Sequence, residues 1–107
     1  MREDRITKIE IDDDGRLCIW PHTKRFYMIY RSAAEVHWDV KSKCLYSPRP
    51  REWSYSDWFG HIWSVAASEY EIKLRPDQNT DWTNISPELK SEVEAFLSGD
   101  FVKTYYP

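Results

Sequence analysis

Two prolines in the middle of the chain, Pro48 and Pro50, divide it into halves that obey different periodicities. Neither proline can donate to a sheet ladder, and each pushes the residue before it toward extended backbone. Ser47 to Glu52 therefore reads as a stiff loop that no regular element crosses. Ahead of it, apolar residues alternate with a period of two. Behind it, they recur every three or four positions.

The first half reads as strands. In residues 5–12, Ile9 and Ile11 alternate with Lys8, Glu10 and Asp12, the pattern of a half-buried strand. Asp12-Asp13-Asp14-Gly15 is a turn, because Asp bonds its own backbone and Gly tolerates positive φ. Arg16 to Trp20 returns, with Leu17 and Ile19 on one face and Cys18 and Trp20 on the other, and Pro21 ends it. Lys24 to Arg31 is aromatic and β-branched and reads as a third strand. Glu35 to Val40 alternates as a fourth, and Cys44 to Tyr46 is a short fifth after the Lys41-Ser42-Lys43 turn. The expectation is an antiparallel meander of about five strands.

The second half reads as helices. Ser54 stands three residues before Asp57, a capping-box variant, and Trp53 and Trp58 are spaced as a hydrophobic staple. Tyr55, Trp58, Phe59, Ile62, Trp63, Ala66 and Tyr70 keep helical spacing to about residue 70. Glu71 to Leu74 extends this helix or forms a short edge strand, and Pro76 to Thr83 reads as a polar loop. Ser86-Pro87 opens a second helix with Leu89, Val93, Phe96 and Leu97 as its apolar stripe, closed by Ser98-Gly99. Strands followed by helices predict an α+β fold with the tryptophan-rich helix laid on the sheet. At 107 residues the chain is a single domain, 1–107, with residues 101–107 as a flexible or docked tail.

No apolar run approaches the roughly 18–20 residues of a membrane span, so the expectation is no membrane. The charged start, Met1 to Asp4, is not a signal peptide, which points to the cytoplasm. Charge is uneven: residues 1–53 carry a balance of +2 and residues 54–107 a balance of −5. The second half would steer a basic partner.

The candidate chemistry is sparse. Cys18-x-x-x-His22 is the closest pair of soft ligands, and nothing supplies two tight ligand pairs, so no metal and no cofactor is implied. Without a C-x-x-C motif, Cys18 and Cys44 read as small buried hydrophobes rather than a redox pair. His37 and Asp39 share a strand face. Asp57 and His61 lie four apart on the first helix, on the side away from its tryptophans, and read as solvated surface. No nucleophile elbow, phosphate loop or H-E-x-x-H is present, so an enzyme is unsupported. Lys41 to Arg51 holds four cations and no acid beside Tyr46, the kit for single-stranded nucleic acid. The acidic second half and a pI near 5.6 argue against that partner. Gly60, Ser64 and Ser68 form a small-residue strip through which a homodimer could pack.

Six tryptophans are more aromatic area than so small a core needs, so some should line an interface or pocket. Tyr46, Arg51, Trp53 and Tyr55 flank the proline loop and are the first candidates for a binding surface. The alternative is a small-molecule pocket, binding or catalytic, between sheet and first helix, near His37, Trp38 and Trp63.

A resemblance spans Ile9 to about Ser86. Its residues are Asp14-Gly15-Arg16-Leu17 with Trp20-Pro21, Phe26 to Val36 followed by Trp38-Asp39, and Leu45-Tyr46-Ser47-Pro48. Arg51-Glu52-Trp53-Ser54-Tyr55 with Trp58-Phe59, Glu69-Tyr70, and Trp82-Thr83-Asn84-Ile85-Ser86 complete it. In these the chain resembles small α+β proteins of mobile bacterial elements, both integron gene-cassette products and immunity-like proteins of toxin systems. These groups share no catalytic signature, so no site residue follows. The resemblance implies a compact bacterial accessory protein that binds another molecule. The expected role is a non-enzymatic, immunity-like protein acting on a protein partner or by self-association.

Overall fold

A computed structural model describes residues 2–99. The order is β1 (Arg2–Ile11), β2 (Leu17–Pro21), β3 (His37–Asp39), β4 (Cys44–Tyr46), α1 (Tyr55–Tyr70), β5 (Ile72–Thr83) and α2 (Pro87–Leu97). The five strands form one sheet in the order β3-β4-β2-β1-β5. The fold is α+β, as its patterning implies, but the sheet is not a purely antiparallel meander. β1 pairs antiparallel with β2 and parallel with β5. The fifth strand comes after α1, and the helix serves as the crossover that a parallel pair requires.

The Asp12–Arg16 turn forms for the reason its sequence suggests. Asp12 Oδ1 accepts the amides of Asp14 and Arg16 at 3.0 and 2.9 Å, and Gly15 takes φ 79°. Arg16 returns its guanidinium to Asp12 Oδ2 at 2.8 Å, closing the hairpin between β1 and β2.

Two segments differ from the expectation. Lys24 to Arg31 is not a strand. The buried carboxylate of Asp4 accepts the amides of Thr23 and Lys24, at 3.1 and 2.7 Å, and turns the chain away from the sheet. The segment then closes a single 3-10 turn at Ile29–Arg31. Its buried residues are Phe26, Ile29, Ala33 and Val36, three or four apart, while Tyr27, Met28 and Tyr30 face out. That spacing is the one a turn-rich segment needs, not the alternation of a strand.

Pro76 to Thr83 is not a loop but the second part of β5. Ile6 pairs with Pro76 and Lys8 with Asp81, so the ladder absorbs extra residues in a bulge. The bulge is held by one hydroxyl: Thr80 Oγ1 donates to the Ile6 carbonyl at 2.6 Å and accepts the Asp77 amide at 2.8 Å. Arg5 pairs with Asp77 at 2.6 Å beside it. Polar residues thus serve the ladder. Pro76 is tolerated because β5 is an edge.

Both helices start where their caps predict. Ser54 Oγ accepts the Asp57 amide at 3.1 Å and Asp57 Oδ2 accepts the Ser54 amide at 3.0 Å. Ser86 Oγ accepts the Leu89 amide at 3.1 Å, with Pro87 in the first turn. α1 buries Trp58, Phe59, Ile62 and Ala66 against Ile9, Ile19, Leu45 and Leu74 of the sheet. α2 adds Leu89 and Val93. Gly60, part of the small-residue strip, faces Phe96 of α2: a Cβ there would lie 3.4 Å from that ring. The expected tail at residues 101–107 lies outside the described residues.

Replacing Thr80 with Val keeps the shape and removes the hydroxyl. The Ile6 carbonyl and Asp77 amide then lose their partner, and stability should fall by about 1–3 kcal/mol in chemical denaturation. An unchanged midpoint would show that water replaces the hydroxyl without cost.

Candidate functional site

The proline loop is fixed at both ends, and this decides where its aromatic residues stand. Ser47 is fully buried, its Oγ accepting the Leu17 amide at 3.2 Å and donating to the Pro48 carbonyl at 3.1 Å. Arg49 Nε donates to the Asp14 carbonyl at 3.0 Å and lies against Gly15. Tyr55 Oη donates to the Gly15 carbonyl at 2.8 Å. Sheet turn, loop and helix start are therefore one tied unit. Arg51, Glu52 and Trp53 lie between its anchors.

Trp53 is 44% exposed, whereas Trp58 and Trp38 are 6% and 9% exposed. Its ring lies 4.7 Å from that of Trp58, tilted, and 5.2 Å from that of His61, edge-on, so part of it is packed and the rest is open. Two open grooves meet at this ring. One, of about 420 Å³, is lined by Ala34, Glu35, Arg51, Glu52, Trp53 and Trp58. The other, of about 580 Å³, runs between α1 and α2 past Gly60, His61, Ser64, Ala95 and Phe96. Arg51 pairs with Glu35 at 2.6 Å on the rim. Beneath, Trp58 Nε1 and His61 Nε2 are buried without a hydrogen-bond partner among the described residues.

His61 is not the solvated surface residue that its helical angle suggests. Burial pushes its pKa below the usual 6.5, against the opposing pull of a hydrogen bond with the Ala34 backbone. Asp57, one turn earlier, spends its carboxylate on the Ser54 amide instead. The signal that could have placed His61 was the staple itself, since a ring packed over Trp58 also reaches the residue three further on.

The sequence candidates fall into separate places. Arg51 and Trp53 share a groove. Tyr55 lines a different one, with Ile11, Asn84 and Ile85. Tyr46 lies on the sheet face turned away from the helices, under the Arg16 guanidinium at 4.7 Å and beside the His37 ring at 5.7 Å. His37 is exposed there, whereas its neighbour Trp38 points into the core against Phe26 at 6.1 Å. Trp63 donates Nε1 to the Leu74 carbonyl at 2.8 Å and packs on Phe96. Phe26, Phe59 and Ile62 fill the space between sheet and α1. Asp39 caps its own turn: hydrogen bonds from the Ser42 and Lys41 amides hold its pKa below the ordinary carboxylate value. Among the described residues, no group of three His, Cys, Asp or Glu side chains is placed to hold a metal, and no helix is long and apolar enough to cross a membrane.

A family model described as Integron Cassette Protein Hfx_Cass5 matches residues 4–80. A solved structure of an integron cassette protein, Hfx_Cass5 from the mobile metagenome of the North West Arm Sewage Outfall, is 43% identical to the chain. The match covers 87% of this chain and 93% of that one, with a TM-score of 0.46. None of the curated proteins matches.

Neutral His61 makes a pH prediction. The unfolded chain takes up a proton that the folded chain resists, so the stability this residue contributes is present above about pH 6.5 and declines as pH falls below it. The lowered carboxylates Asp12, Asp39 and Asp77 act in a separate window, below their usual 3.8. A His61→Phe variant should lose the first slope and keep the second, read from melting temperature against pH. An NMR midpoint for His61 at or above 6.5 would contradict this.

Proposed function

The chain belongs to the Hfx_Cass5 family of integron cassette proteins, and we propose that it is a non-enzymatic binding protein of the immunity type, occluding a protein partner through the surface centred on Trp53. One observation carries the reading. Trp53 is the exposed tryptophan among the described residues, and the rings of Trp58 and His61 pack against it. Holding the ring in place before binding lowers the entropy lost on association. Tryptophan and arginine are also among the residues enriched where interface energy concentrates. Trp53 and Arg51 meet both conditions, and the grooves on either side offer apolar contact.

Charge supports a partner of stated sign. Glu35, Glu52, Asp57 and Glu92 line the two grooves, with Arg51 as the cation among the lining residues. A basic partner would be steered toward this edge, and salt would slow its association. Tyr46 and Tyr55 are further from this centre and would contribute only to a larger footprint.

The test uses Trp53→Ala and a partner captured from a cassette-bearing host, purified, and titrated by calorimetry. The variant should melt close to the parent yet bind about 30-fold more weakly, the equivalent of about 2 kcal/mol. Unchanged binding, or a variant that no longer folds, would remove Trp53 from the interface and leave it as a helix staple.

A further inference from the structure

The sheet face turned away from the helices holds a second feature, independent of Trp53. In the ladder between β2 and β4, Cys18 sits opposite Tyr46 and Ile19 opposite Leu45. Cys44 is two residues from Tyr46, so it shares that face and is the diagonal neighbour of Cys18. Cys18 Sγ lies 3.7 Å from Asp12 Oδ2 and 3.8 Å from the Arg16 carbonyl, the acceptors its thiol reaches. The two cysteines are 4% and 3% exposed, unusually dry for a face without a helix over it. Their cover consists of side chains fixed by their own contacts. Trp20 Nε1 donates to the Ser42 carbonyl at 2.9 Å, and Arg16 is held between Asp12 and the Tyr46 ring.

The spacing favours one chemistry over another. Diagonal neighbours across an antiparallel pair have Cα atoms about 7–8 Å apart. A disulfide needs about 4.4–6.8 Å, so a direct bond requires the backbone to move. An atom placed between the sulfurs removes that requirement. Metal–thiolate bonds are about 2.3 Å, so a linear bridge separates the sulfurs by about 4.6 Å, within reach of side-chain rotation alone. Zinc and iron–sulfur clusters need more ligands than two. Soft monovalent d10 cations accept linear coordination by two thiolates, the donors they prefer.

We propose that Cys18 and Cys44 form a two-thiolate site for one soft monovalent cation of the copper(I) or silver(I) class. Each thiol releases its proton as its sulfur–metal bond forms, so one cation enters and two protons leave. The product carries one negative charge on a face that also holds Asp12, 3.7 Å from the Cys18 sulfur, and the Arg16 guanidinium paired with that carboxylate. No oxidant or reductant takes part.

The test is anaerobic titration of the full chain with copper(I) against a chromogenic chelator. One copper per chain should bind, with two sulfur neighbours by X-ray absorption and no change in oligomeric state. Cys18→Ser and Cys44→Ser should each weaken binding by more than the about 10–100-fold typical of losing an outer-shell group, since each removes half of the ligands. If either variant misfolds, the wild-type protein still decides the matter: the one bound copper should show two sulfur neighbours by X-ray absorption, and one equivalent of copper(I) should block both thiols against alkylation under denaturant levels that expose them in the copper-free chain. Copper retained by a folded single variant, half a copper per chain in a bridged dimer, or thiols left open to alkylation would overturn the site. So would a Cys18–Cys44 disulfide that forms under mild oxidant without loss of stability, because it would show that the backbone spacing does not exclude the direct bond.

Discussion

Strand β1 must satisfy two ladders that run in opposite senses, and most of the fold follows from that. Its antiparallel partner β2 arrives through the Asp12–Arg16 turn, which costs few residues. Its parallel partner β5 can arrive only after a crossover, so α1 has to begin on one end of the sheet and deliver the chain back to the other. The helix therefore lies against the sheet because the connection demands it, and its apolar stripe of Trp58, Phe59, Ile62 and Ala66 is what makes that path favourable. The irregularity between Ile6 and Lys8 accommodates the different residue counts of the two ladders, with Thr80 closing it.

The same constraint places the candidate surface. A crossover helix needs a defined start, and here the start is held by the capping box, by Tyr55 on the Gly15 carbonyl and by Arg49 on the Asp14 carbonyl. A loop pinned this tightly cannot bury all of its side chains, because its backbone already runs along the edge of the core. Trp53 is left packed in part on Trp58 and His61 and otherwise open. Its exposure is thus a consequence of how α1 is entered, and a staple of this kind can serve stability on one face and recognition on the other.

Legibility in the sequence followed the strength of local signals. α1, α2 and β4 are where their caps and spacing put them, since Ser54, Ser86 and the prolines act within a single turn. The Asp12–Gly15 turn was equally plain. The two misread segments are ones whose conformation is decided from a distance. Asp4, some twenty residues earlier, sets the path of Lys24 to Arg31, and the β-rich composition there records aromatic packing against Trp38 and Tyr70 instead of a ladder. Pro76 to Thr83 looked like a loop because its polar residues bond into β1, a partner that no local pattern reveals. For the site, Arg51 and Trp53 could be named from their position beside the prolines. His61 was missed because an angle on an ideal helix does not include the Trp53 ring and the Ala34 backbone that pack against it.

The two faces of the molecule differ in what they offer a partner, and that difference bears on how it could work. The Trp53 edge is open, aromatic and acid-rimmed, with its ring already in position, which suits rapid docking of a large charged surface. The Cys18–Cys44 face is closed, and its cover of Trp20, Arg16 and Tyr46 must part before anything reaches the sulfurs. Whatever enters there must be small and must repay the disruption through strong bonds, a condition that a soft cation meets and a peptide does not. β2 runs beneath both features: Leu17 gives its amide to Ser47 at the foot of the proline loop, and Cys18 is the next residue.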